Sequence, residues 1–234
     1  MSRRAPLLPL LLLLLAATAT VLTTAAAPSG GGAAAASDFI RRSCRATQFP
    51  SVCVQSLASY GGSPSPPRSP RELARAALSV SADRARAASA YVGRLCAGKG
   101  SGVAAKGAGK AAAGPVRDCM ENLADSVGHL RDAAQEMGGA GMAGRAATPA
   151  FKWHLSNVQT WCSAALTDEN TCLDGLASRG VDAATRAAIR GKVVEVAQVT
   201  SNALALVNKT CVARCPELDV MHLLLVVAAE QLHT

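Results

Sequence analysis

From Pro115 onward, apolar residues return every three or four positions: Val116, Cys119, Met120, Leu123, Val127, Leu130, Ala134 and Met137. That step places them on one face of an α-helix packed in a bundle. Three more segments repeat it. The first opens with "SPRE" at 69–72, a capping box with Ser69 as cap, Pro70 in the first helical position and Glu72 reaching back. It presents Leu73, Ala76, Val80, Ala87, Tyr91 and Leu95, and ends near "AGKGSG", before a Gly/Lys/Ala loop at 97–114. The next starts at Thr148-Pro149, a cap followed by proline, and carries Phe151, Leu155, Val158, Trp161 and Ala165 until "TDEN" breaks it just before Cys172. The last runs from about Asp182 to Asn208 with Ile189, Val193, Val196, Val199, Ala203 and Leu206 on one side. Strand-like alternation is missing.

Ahead of these segments lies "IRRSCRATQFPSVC", residues 40–53. It reads as two short helices with a break at the Phe-Pro step, the second started by Pro50. Folded into a hairpin, they bring Cys44 and Cys53 within the roughly 4.4–6.8 Å Cα separation of a disulfide. The predicted fold is therefore all-α: an antiparallel (up-down-up-down) four-helix bundle with an N-terminal helical hairpin. Topology adds a second bridge. Cys119 lies near the start of the second long helix and Cys172 just past the end of the third, and these ends adjoin in an antiparallel pair. A bond there closes a loop of over 50 residues and contributes typically about 2–4 kcal/mol.

Such bonds require an oxidising compartment. The N-terminus agrees: "MSRR" is a basic region, "LLPLLLLLLAATATVL" an apolar core and "TTAAA" a run of small residues, the order of a secretory signal peptide over residues 1–27. Several small-x-small triplets between Ala19 and Ala27 compete as the cleavage site. "PSGGGAAAAS" (28–37) then reads as a flexible leader. The leucine-dense core is short for a membrane span of about 20 residues, so no stable span is expected after cleavage.

Cleavage removes Arg3 and Arg4 and takes the formal charge from +8 to about +6. A basic secreted chain associates with acidic polymers or simply stays soluble by its charge, and both readings stand. Nucleic acid is not an expected partner, because the basic residues are scattered and aromatics make up 3% of the chain. The eight cysteines stand at 44, 53, 96, 119, 162, 172, 211 and 215 without the close C-x-x-C pairs or nearby histidines of a zinc site. Neither a metal nor another cofactor is implied. No catalytic residue is assigned: G-x-S-x-G, H-E-x-x-H and P-loop motifs are absent, and His129 and His154 read as isolated helix-surface histidines.

"IRRSCRATQFPSVC", "DCMENLADSVGHL" (118–130), "SNVQTWCSAALTDENTC" (156–172) and "TSNALALVN" (200–208), with their spacing, cover roughly residues 38–209 and resemble the plant invertase and pectin methylesterase inhibitors. The resemblance implies a small extracellular inhibitor of the apoplast and cell wall, with disulfides Cys44–Cys53 and Cys119–Cys172. Its target is a pectin methylesterase or, alternatively, an acid invertase. "SNVQTWCSAALTDENTC" looks like the methylesterase-inhibitor form. The Pro-Lys-Phe step frequent in invertase inhibitors is absent, since the only proline after Pro149 is Pro216. The implied mechanism is occlusion: the bundle lies one-to-one across the pectin-binding groove of the esterase. Interface candidates are Asn157, Thr160 and Thr167, with Thr171 beside Cys172; Asn170 and Thr171 also read as turn residues that end the helix. Trp161 is assigned to the core.

Cys96, Cys162, Cys211 and Cys215 lie outside the four-cysteine frame, and Cys162 reads as a buried thiol. The tail 210–234 is atypical, and its run "MHLLLVVAA" is too short to span a membrane. Asn208-Lys209-Thr210 is an N-glycosylation acceptor. The chain stops where a methylesterase with such a pro-region would begin its catalytic β-helix, so a free inhibitor is expected. Two rivals remain. A lipid carrier of the plant lipid-transfer type would show Cys-Cys and Cys-x-Cys steps, which do not occur here. A passive wall polycation would bind pectin through charge alone.

Overall fold

Alanine-rich sequence with few helix breakers folds mainly as helix in the residues that this computed structural model describes, 30–96, 110–142, 148–177 and 181–212. The elements are α1 (Gly30–Cys44), α2 (Pro50–Gly61), α3 (Pro70–Cys96), α4 (Lys110–Gly138), a 3-10 turn (Ala140–Met142), α5 (Pro149–Leu176) and α6 (Ala183–Val212). Contacts separate Met1–Gly31 from a unit that runs from Gly32 onward, and the bundle belongs to the latter. The signal-peptide reading, the loop at 97–109 and the tail beyond Val212 lie outside the described residues.

The long helices alternate in direction. The start of α3 meets the end of α4 where Arg71 donates to the Met137 and Gly139 carbonyls at 2.8 and 3.0 Å. The end of α4 meets the start of α5 through Glu136 and His154, and their other ends are joined by Cys119–Cys172. Early α5 meets late α6, with Gln159 donating to Asn208 at 2.9 Å. Helix α3 packs on α4 and α6, and α5 packs on α4 and α6, so α3 and α5 stand diagonally across the bundle. Between them lie fully buried Leu73, Leu78, Leu123, Leu130, Leu155 and Ile189. Each such side chain contributes about 1.5–3 kcal/mol of apolar burial.

The α1–α2 hairpin is closed by Cys44–Cys53, with Cα atoms 5.6 Å apart. A Cβ at Gly61 would lie 2.6 Å from Ser37 Oγ, so only glycine allows the two helices this approach. Buried Asn202 of α6 holds the hairpin turn with both arms of its amide. Its Oδ1 accepts the Phe49 N–H at 3.0 Å, and its Nδ2 donates to the Phe49 carbonyl at 2.9 Å. The Phe-Pro step is thus a docking point whose backbone groups are satisfied by one side chain.

Several sequence expectations change. Helix α5 does not break at "TDEN" but continues to Leu176, carrying Cys172 inside it. No glycine or proline interrupts that stretch before Gly175, and the Thr171 hydroxyl bonds the Thr167 carbonyl at 2.8 Å within the helix. Helix α4 begins at Lys110 rather than Pro115. Proline near a helix start removes only one backbone donor, and the alanines before it favour the helix. The leader is helical from Gly30, with Ala36 buried. Helix α6 passes Asn208 and ends at Val212. The buried face of α3 consists of Leu73, Ala74, Ala76, Ala77, Leu78, Ser81, Ala82, Ala85, Ala88 and Val92; of the expected positions Leu73 and Ala76 are buried, and Ala87 is exposed. Alanine populates every side of this helix, so it does not mark the core face. In the capping box, Ser69 Oγ accepts the Glu72 N–H at 3.2 Å as expected, but Glu72 reaches the Arg68 N–H, one residue earlier, at 2.7 Å.

Candidate functional site

Helix α5 is built by Thr148, whose Oγ1 accepts the Phe151 N–H at 3.2 Å, and by Pro149 in its first turn. Phe151, Leu155, Val158, Cys162, Ala165, Glu169, Cys172 and Leu176 turn inward at helical spacing. The opposite face must then point to solvent, and it carries Trp153, Ser156, Thr160, Ser163, Thr167, Asn170 and Thr171. Between Trp153 and Asn170, none of the exposed residues of α5 is charged. Trp153 is 62% exposed at the head of this strip.

Three of the four interface candidates share the strip. Thr160, Thr167 and Thr171 are exposed, and their hydroxyls donate to the carbonyls of Ser156, Ser163 and Thr167 at 2.9, 3.1 and 2.8 Å. Hydroxyls already bonded to the helix lose less on leaving water than free charges do, so such a face covers a partner at low desolvation cost. The fourth candidate, Asn157, turns to the α4–α5 seam and donates to Glu136 Oε1 at 3.3 Å. Trp161 is half-buried and packs against the core.

The histidines are not isolated. His154 Nδ1 pairs with Glu136 Oε1 at 2.5 Å and His129 Nδ1 with Asp168 Oδ2 at 3.0 Å, so both tie α4 to α5. Burial raises the Asp168 carboxyl against the lowering effect of His129. No nucleophile bonds either imidazole, and no group of three or more His, Cys, Asp or Glu able to hold a metal ion occurs, among the described residues.

Directly beneath the strip, Glu169 is fully buried. Its Oε1 accepts Ser126 Oγ of α4 at 2.8 Å and Thr200 Oγ1 of α6 at 2.9 Å, while Oε2 has no partner. Burial pushes its carboxyl up to about 7, against the two hydroxyls. Buried Cys162 lies close by, with Sγ 3.8 Å from the Thr200 carbonyl. Burial pushes this thiol far above its ordinary range and leaves it protonated. Cys96, by contrast, is exposed and unbonded. Asn208 is half-buried and accepts the Gln159 bond, and the Thr210 hydroxyl, buried, donates to the Val207 carbonyl at 2.7 Å.

The described residues thus form a disulfide-stapled helical bundle that turns a neutral, hydroxyl-lined face of α5 to solvent. The profile of the plant invertase/pectin methylesterase inhibitor family matches residues 38–206, and the chain belongs to that family. It is similar to pectinesterase inhibitor 9 of Arabidopsis thaliana, 42% identical over 171 residues that cover 73% of this chain and 79% of that one. It is also similar to a 21 kDa protein of Daucus carota, 40% identical over 172 residues, covering 74% and 83%. Among solved structures, a mutant form of a pectin methylesterase inhibitor from Arabidopsis shares the fold with a TM-score of 0.51. Its sequence identity is 21%, and the match covers 70% of this chain and 92% of that one.

Proposed function

We propose that the protein is a secreted, non-enzymatic inhibitor that binds pectin methylesterase one-to-one and covers its pectin-binding groove. The observation that carries this reading is the neutral outward face of α5 in a chain whose relatives are named pectinesterase inhibitors. From Trp153 to Thr171 the strip is about 27 Å long at 1.5 Å per residue. A single helix face is narrow, and a stable complex buries about 800 Å² per partner. Helix α5 therefore supplies the centre of the contact, and the adjoining flanks of α4 and α6 supply the rest. Acid invertase is the alternative target, because the family takes its description from inhibitors of both enzymes.

Thr160→Glu and Thr167→Glu place buried, unpaired charges in such a contact and are expected to weaken esterase inhibition at least tenfold. Circular dichroism should remain that of the parent protein, since both sites are exposed. Undiminished inhibition by the folded double variant would remove α5 from the interface.

A further inference from the structure

Two adjoining hollows of about 540 and 320 Å³ share Arg75 and Ser79 of α3: the first lies between α3 and the end of α2 with the connection that follows it, the second between α3 and α4. The first also holds Arg68 and Glu72 against a wall of Tyr60, Pro66 and Pro67. The second holds Arg86, Asp83 and Arg131. Both acids are already engaged: Glu72 accepts the Arg68 backbone N–H, and Asp83 pairs with Arg86 at 2.9 Å. The Arg68, Arg75 and Arg131 side chains are exposed and make no hydrogen bond or ion pair among the described residues. Gly138 leaves room for the Arg75 fork, since a Cβ there would lie 2.8 Å from its Nε.

Three arginine forks with unused donors therefore stand along one groove. From Pro70 to Arg86 it follows about 24 Å of helix. A small anion would fill one hollow. A row of like charges spaced along a groove instead fits a linear chain with carboxylates at intervals, each able to take a two-pronged arginine contact. Tyr60 and Pro66, both half-buried, offer flat apolar surface to the C–H face of a sugar ring. Hydrolysis of a methyl ester by water releases methanol and leaves a carboxylate, so the product of the proposed target is such a polymer.

We propose that this groove along α3, from the α2–α3 connection to the flank of α4, binds a linear stretch of demethylated, carboxylate-bearing pectin, holding the protein on the polymer by a surface separate from the outward face of α5. The choice of polymer rests on the esterase reading given above. Because α3 stands diagonally across the bundle from α5, and Arg131 lies on the flank of α4 turned toward α3 rather than the one that adjoins α5, polymer and enzyme can be bound together.

The test is calorimetric titration of the full protein with an oligogalacturonate and with its fully methyl-esterified counterpart. Arg75→Gln/Arg131→Gln is compared with Arg190→Gln/Lys192→Gln, which removes equal charge from exposed positions on α6. The groove pair is expected to lower oligogalacturonate affinity about tenfold and the control pair much less. Gly138→Ala, which displaces Arg75, should weaken binding in the same direction. Equal loss in the two pairs, or equal binding of the esterified oligomer, would overturn the groove. Esterase inhibition is read separately: inhibition without oligogalacturonate binding overturns this inference alone, and binding without inhibition overturns the esterase reading while the groove stands.

Discussion

Replacing Glu169 by Gln should change how the fold responds to pH. In the unfolded chain a glutamate ionises near its ordinary value of 4.5, whereas in the fold burial holds Glu169 protonated up to about 7. Between those values the folded state carries a proton that the unfolded state has lost. Stability therefore falls as pH rises through the window from 4.5 to 7, and this contribution is flat on either side. At 1.36 kcal/mol per pKa unit the loss is about 3 kcal/mol, on the order of 6–12 °C in Tm for a domain of this size. Gln keeps the acceptor that Ser126 and Thr200 use and has no charge to bury. Its NH2 occupies the place of the unpartnered Oε2, at a pH-independent cost of about 1–3 kcal/mol. The assay is thermal unfolding of both proteins from pH 4 to pH 8. The Tm of Glu169→Gln relative to the parent should climb across the window, and a difference that does not vary with pH would refute the assignment.

Other consequences are equally direct. Cys119→Ser/Cys172→Ser opens a loop of 53 residues, and denaturant unfolding should show a loss of about 4 kcal/mol from chain entropy. Asn202→Ala leaves the Phe49 N–H and carbonyl without their partner and should cost about 2–3 kcal/mol; hydrogen exchange is expected to quicken in α1 and α2 while α3–α6 stay protected. Gly141→Ala drives a methyl group into the His154 ring, and should lower stability by about 1–3 kcal/mol and shift the His154 resonances.

The helical bundle was legible because Val, Leu, Ile and Met mark one side of α4, α5 and α6. Helix α3 was legible as a helix but not in its orientation, since alanine lies on its buried and exposed sides alike. The "TDEN" stretch misleads locally: Asp, Asn and Thr favour turns, but tertiary packing of Glu169 and Cys172 holds them in helix. The signal for Glu169 was present in the register 158, 162, 165, 169, 172, which puts it on the core stripe. The pairs His129–Asp168 and His154–Glu136 join residues 39 and 18 positions apart on different helices. They depend on inter-helix register, which a single sequence does not display. The same holds for Asn202, 153 positions from the Phe49 backbone that it holds. Of the candidate surface, Thr160, Thr167 and Thr171 follow from helical spacing alone. Asn157 sits at the edge of that face, where packing against α4 decides its direction.

Inhibition of the esterase is tested by parallel titration of the oxidised protein, residues 28–234, against a plant pectin methylesterase and an acid invertase near pH 5 to 6. Methanol release is expected to be lost completely at one inhibitor per enzyme, with sucrose cleavage untouched. Loss of sucrose cleavage with methanol release intact would contradict the esterase reading.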